Sequence, residues 1–143
     1  GFGPGEPAEA WARTWGIAAG VEFVGAVPHP ELLRRLAAGA DVLVHPAVEE
    51  SFSMAVAEAM ALGIPVIGGT RSGGVPATLD GGRAGRLADV RSPSALAGAM
   101  LELATQAEER NAIATAGRLS ARARFSLDGV VAEYERIYQE LCG

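Results

Sequence analysis

The stretch from Val42 to Gly74 constrains this chain more than any other. Asp41-Val42-Leu43-Val44-His45-Pro46 is a continuous apolar run, the kind of strand that is buried on both faces in a parallel sheet. Met54 to Leu62 reads Met-Ala-Val-Ala-Glu-Ala-Met-Ala-Leu, a series of strong helix formers that stops at Gly63. Ile64-Pro65-Val66-Ile67-Gly68 is a second strand, with proline tolerable because it stands at the strand's beginning. A Gly-rich stretch, Gly68 to Gly74, follows at once. Strand, helix and strand in this order make a parallel βαβ unit, and such units need helices against the sheet.

The flanking residues continue that pattern. Pro7 to Trp15 has helical spacing at Ala8, Trp11 and Trp15, and Val21-Glu22-Phe23-Val24-Gly25 is short, β-branched and closed by Gly, so it reads as a strand. From Pro28 a helix carries Leu32, Leu33, Leu36 and Ala37 on one face and ends at Gly39. Residues 85–88 suggest one more strand, after which only helices remain. Ser92-Pro93 is an N-cap and first-turn proline, with Leu96, Ala99, Met100 and Leu103 behind it. Glu108 to Arg124 is a more polar helix with Ile113, Ala116 and Leu119 as its buried points. Leu127, Val130, Val131, Tyr134, Ile137, Tyr138 and Leu141 form a continuous apolar stripe on the last helix, which must dock on something. Residues 1–143 thus read as one α/β domain, a Rossmann-like parallel sheet with a helical C-terminal cover.

Composition removes several chemistries. All twelve basic residues are Arg, so the chain offers no Walker-type P-loop and no Schiff-base lysine. A formal net charge of -5 argues against nucleic acid as a partner, because phosphate-neutralising contacts dominate such binding. The single Cys142 makes no intramolecular disulfide and no thiolate metal site, and His29 and His45 stand at no metal-ligating spacing, so no metal is expected. No apolar run is long enough to cross a membrane and no signal peptide opens the chain, which makes a cytoplasmic setting the expectation.

The loop from His45 to Ser53 leaves the carboxyl end of a strand, the edge where open α/β sheets bind ligands. It ends at a helix N-terminus, whose unpaired N–H groups and positive dipole end favour an anion such as a diphosphate. Glu58 is the one charge on an otherwise apolar helix that reads as internal, so it should face a partner or a polar cleft. At about 1.5 Å rise per residue, Glu58 sits roughly 8 Å along the axis from a start near Ser53. With Glu50 at the mouth, two carboxylates would bracket the anion site and accept sugar hydroxyls. Structural readings stand beside these. Glu50 fits a solvated loop acid near the helix start, and Glu58 fits a pair with Arg or a backbone amide. Ser51 and Ser53 fit N-caps better than nucleophiles, since no Gly-x-Ser-x-Gly is present. His29 fits a loop or cap, His45 is a candidate acid or base, and Arg71 with Gly73-Gly74 fits a phosphate-facing loop or a bare turn.

Glu50-Ser51-Phe52-Ser53-Met54-Ala55-Val56-Ala57-Glu58 and its continuation through Ile67 resemble the E-x7-E signature of retaining GT-B glycosyltransferases of group 1, family 4. Gly3-Pro4, residues 21–25, residues 40–46, Gly73-Gly74, residues 82–87 and the Tyr138 helix agree in order. The resemblance implies a partial C-terminal domain that binds a nucleotide diphosphate-sugar, in an enzyme that transfers the sugar with retention and without a required metal or other cofactor. It implies that Glu50 contacts hydroxyls of the donor sugar, and that Phe52, Ser53, Met54 and Ala55 supply backbone N–H groups to sugar and phosphates. Glu58 would bond the ribose hydroxyls, Val27 would lie near the base, and Gly73 and Gly74 would border the donor.

The resemblance also implies an acceptor-binding N-terminal domain outside these residues, through which the parent enzyme could touch a membrane surface. It implies two further strands upstream in sequence, which lie between the Val21 and Val42 strands in sheet order, and a basic Arg and Lys pair with them, so either the sheet here is truncated or it is rearranged, and the chain would be inactive alone. Serine at 51 and 53 departs from the family's glycine, and Ala77 replaces its usual acid. A non-catalytic nucleotide-sugar-binding or scaffold domain and a sugar-nucleotide epimerase of GT-B architecture are the alternatives. A nicotinamide-dependent dehydrogenase lacks its strand, Gly-x-Gly-x-x-Gly and helix.

Overall fold

Residues 1–142 are described by the structure, a computed structural model. Three strands, β1 (Leu43–His45), β2 (Val66–Gly69) and β3 (Arg86–Ala88), pair in parallel in the order β1-β2-β3. Seven α-helices accompany them among the described residues: α1 (Pro7–Thr14), α2 (His29–Gly39), α3 (Met54–Leu62), α4 (Val75–Thr78), α5 (Pro93–Thr105), α6 (Ala107–Phe125) and α7 (Leu127–Cys142). A 3-10 turn at Asp80–Gly82 follows α4. This is the Rossmann-like α/β arrangement that the βαβ pattern implies.

The chain forms two compact units, Gly1–Arg35 and a second that begins at Leu36. In the first, α1 starts at Pro7 and buries Ala12, while the Trp11 and Trp15 rings meet at 6.2 Å. Glu9 accepts from the Gly5 amide at 2.6 Å and from Arg13 one turn later. Residues 21–28 form no strand. A strand exists only through its ladder, and Val21-Glu22-Phe23-Val24-Gly25 has no strand beside it among the described residues, so the expected element is irregular backbone.

In the second unit the sheet is packed on both faces. Val66 and Leu43 point to α3, α4 and α6, joining Val56, Ala59, Met60, Val75, Leu79 and Ala121 in one cluster. Ile67, its neighbour in the strand, points the other way onto Ala99, Leu103 and Ile113. The alternation is that of a pleated strand covered twice, and β2 accordingly buries all four of its residues. β1 is only half-buried, because it is an edge of the sheet.

The helix boundaries follow local chemistry. α3 ends at Gly63, whose φ of 76° is the left-handed conformation a glycine adopts at no steric cost. α5 opens on Ser92, whose hydroxyl accepts from the Ala95 amide at 3.3 Å, with Pro93 behind it. Three faces differ from the sequence expectation. α3 buries Val56, Ala57, Ala59 and Met60 but exposes Met54, Ala55, Ala61 and Leu62, because four of its nine residues are alanines with little surface to hide. α6 buries Ile113, Gly117 and Ala121 and leaves Leu119 63% exposed. The helical cover is therefore α5 and α6. The apolar stripe of α7 is exposed throughout, and Leu127 and Leu141 are 77% and 78% accessible.

Candidate functional site

Beyond the carboxyl end of β1, residues 46–53 cross to the start of α3, and three hydrogen bonds from the next crossover hold their carbonyls. Ser72, fully buried, donates its hydroxyl to the Ala47 carbonyl at 2.6 Å. The Gly74 amide donates to the Glu50 carbonyl at 2.7 Å. Thr78, 2% exposed, donates to the Phe52 carbonyl at 2.8 Å. Arg124 in turn donates to the Ala77 and Thr78 carbonyls at 2.9 and 3.2 Å, which satisfies the last turn of α4.

Glycine is required where these segments touch. A Cβ on Gly74 would collide with the Ser51 carbonyl oxygen, and one on Gly73, whose φ is 56°, with that of Glu50. The two glycines thus act as the seat of the Glu50 loop, a packing role that the pattern Gly73-Gly74 alone does not reveal. Ser72 and Thr78 were not singled out from the sequence. Their signal is a small hydroxyl on either side of the glycine pair in an otherwise apolar stretch.

Within the held loop the side chains of Glu50, Ser53 and His45 converge. Ser53 is the N-cap of α3, its hydroxyl accepting from the Val56 amide at 3.4 Å, and its φ of 64° is left-handed. The same oxygen lies 3.3 Å from His45 Nε2, and Glu50 Oε2 lies 3.6 Å from that nitrogen. Glu50 Oε1 accepts from the Ser51 amide at 3.0 Å. Met54 and Ala55, whose N–H groups stand in the first turn of α3, are exposed.

Glu58 opens on a different side of α3. It lines a groove of about 520 Å³ with Phe52, Met54, Ala61, Arg122 and Phe125, and Glu50 is not among the lining residues. Glu58 is half-buried, on a side of α3 that is exposed although the helix's composition reads as internal. Phe52 meets Phe125 edge-on, the rings 5.1 Å apart at 89°, which ties the loop to the end of α6. Val27 belongs to the first unit, where it lines a cavity of about 540 Å³ with Val21, Pro28, Glu31 and Arg35. Among the described residues no three His, Cys, Asp or Glu side chains gather as metal ligands, and no helix is long and apolar enough to cross a membrane.

Comparison with known proteins gives this geometry a relationship. The chain is 35% identical over 130 residues to D-inositol 3-phosphate glycosyltransferase of Corynebacterium jeikeium, covering 91% of this chain and 30% of that protein. It superposes on sucrose-phosphate synthase from Thermosynechococcus elongatus with a TM-score of 0.80 at 28% identity, covering 94% of this chain and 33% of that one. HepE from Anabaena, solved in complex with UDP, matches with a TM-score of 0.75 at 25% identity over 94% of this chain and 35% of its own. The chain spans about a third of the length of each. These structural neighbours are GT-B glycosyltransferases, and the sheet with its two helical layers is their arrangement. The family model described as "Glycosyl transferases group 1" matches residues 1–106, and the chain belongs to that family.

Proposed function

We propose that this chain is the donor-binding part of a retaining glycosyltransferase, which moves a sugar from a nucleotide diphosphate-sugar to an acceptor. The observation that carries the reading is the loop of residues 46–53, held at three carbonyls so that Glu50 stands at the mouth of the α3 N-terminus on the ligand edge of the sheet. In this reading the first-turn amides of Ser53, Met54 and Ala55, with that of Phe52 before them, take the diphosphate and sugar. Glu50 accepts from hydroxyls of the donor sugar. Glu58, in the groove beside Phe52 and Met54, accepts from the ribose, and Gly73 and Gly74 border the donor by seating the loop. Catalysis is then positioning together with stabilisation of charge on the leaving diphosphate, without a metal. The setting is cytoplasmic. Support for a nucleotide donor comes from HepE, whose structure contains UDP.

The acceptor-binding domain lies outside these residues, and the 143-residue chain does not transfer sugar by itself. Titration calorimetry with UDP and GDP and steady-state rates of the whole enzyme test the assignments. Glu58→Ala weakens nucleotide binding about tenfold, the effect of losing hydrogen bonds to a charged group, while Glu50→Ala lowers kcat with little change in nucleotide affinity. Clear transfer by the isolated chain, or equal nucleotide affinity in Glu58→Ala and wild type, overturns the corresponding assignment.

A further inference from the structure

Glu50 has three rotatable side-chain bonds and stands in a loop, so its orientation has to be imposed by neighbours. One oxygen is occupied by the Ser51 amide at 3.0 Å. The other faces His45 Nε2 at 3.6 Å. That nitrogen also lies 3.3 Å from Ser53 Oγ. The Ser53 hydroxyl has two lone pairs and one hydrogen, and the Val56 amide takes one lone pair. An Nε2 that carries hydrogen donates to the remaining lone pair and points positive charge at the Glu50 carboxylate. An Nε2 without hydrogen would set its own lone pair against that carboxylate. The positioning role therefore uses the tautomer with hydrogen on Nε2, in which Ser53 Oγ accepts from the ring.

His45 is rigidly supplied, since it is the last residue of β1 and its side chain is only 18% exposed. We propose that His45 is a positioning residue, which holds the Glu50 carboxylate between its imidazole and the Ser51 amide so that the free lone pairs face the donor sugar. The assignment rests on the donor-binding reading above. It differs from acid or base chemistry at His45, because Nε2 is engaged by Ser53 and Glu50 and acts only through them. A separation of 3.6 Å is longer than a hydrogen bond, and such contacts tighten when a substrate is bound.

The test uses His45→Gln, whose amide nitrogen reaches the Nε2 position, and His45→Asn, whose amide does not. In the whole enzyme His45→Asn lowers kcat about tenfold, the effect of losing one charge-assisted contact, with KM for the donor within about twofold of wild type. His45→Gln restores most of kcat. In a Glu50→Gln background His45→Asn has no further effect, since the two residues act as a unit. Equal kcat in His45→Asn and wild type, an undiminished loss in the Glu50→Gln background, or a donor KM that rises in step with the fall in kcat overturns the proposal. A readout without turnover separates it from the donor-binding reading. Amide exchange at Ser51 in the chain itself speeds up several-fold in His45→Asn and not in His45→Gln, whatever the enzyme's substrate. Unchanged Ser51 exchange in His45→Asn overturns the positioning role even if the donor-binding reading stands.

Discussion

Thr78→Val measures how firmly the Glu50 loop is held. Valine matches threonine in shape, so the substitution removes one hydroxyl without opening a cavity. In the wild type that hydroxyl lies 2.8 Å from the Phe52 carbonyl and 3.1 Å from the Gly74 carbonyl. One hydrogen serves both. The Gly74 carbonyl keeps another partner, the Thr78 amide at 2.9 Å, so the loss falls on Phe52. A hydrogen bond contributes about 1 kcal/mol net, and an acceptor left without a partner next to a residue 2% exposed costs about 1–3 kcal/mol. The expected destabilisation is about 2 kcal/mol. Amides of β2 open with the unit that begins at Leu36, so their exchange should speed up roughly 30-fold. Thr78→Ser keeps the hydroxyl and drops a methyl, which costs about 1 kcal/mol. If Thr78→Val exchanges like wild type, or is more stable than Thr78→Ser, the hydroxyl is not what anchors the loop.

Ser53 combines a favourable cap with an unfavourable φ of 64°. Ser53→Gly loses a few tenths of a kcal/mol in capping and regains about 1 in backbone strain, so its urea midpoint should stay near wild type, whereas Ser53→Ala keeps the strain and loses about 1 kcal/mol. A glycine variant less stable than the alanine variant contradicts this balance. In the first unit, the Gly5 amide and then the Arg13 guanidinium hold the Glu9 carboxyl below its ordinary 4.5. A depressed folded-state value means that the contact stabilises at neutral pH and is lost as pH falls through that value. The amide proton shift of Gly5, followed from pH 7 to 2, should therefore move with a midpoint under 4.5, and a midpoint at or above it refutes the assignment.

Local chemistry made most elements legible. α3 runs over Met54–Leu62 and stops at Gly63, as its helix formers and glycine dictate, and Ser92-Pro93 caps α5. What failed was burial and pairing, which depend on distant surfaces. Val21-Glu22-Phe23-Val24-Gly25 has strand propensity and no ladder to join. The composition of α3 reads as internal because alanine counts as apolar, yet Ala55 and Ala61 lie in the open and carry Glu58 with them. The same distinction governs the site. Glu50 and Glu58 stand out by type and spacing, but the contacts that set the loop come from Ser72 and Thr78, which are 25 and 26 residues from their acceptors. No local window contains both partners of such a bond.

The all-arginine composition gains meaning from the same contacts. Arg124 holds carbonyls at the end of α4, and Arg110 does so for Leu103 and Ala104 at the end of α5. Arg13, Arg34, Arg35, Arg83, Arg86 and Arg136 pair with nearby carboxylates. Such planar, multiply donating groups suit arginine better than lysine. Of the remainder, Arg122 borders the Glu58 groove, and Arg71 and Arg91 line a cleft of about 150 Å³ with Val48 and Thr70. A helix N-terminus supplies roughly half a positive charge, too little to balance a diphosphate alone. In the donor-binding reading the deficit falls to cations that are neither lysines of this chain nor the arginines already bonded within it. The basic pair that the family resemblance assigns to residues outside the chain would fill that gap. Within this chain, Arg71, Arg91 and Arg122 are arginines to which no such contact is assigned, so charge balance alone leaves part of that role to residues already here.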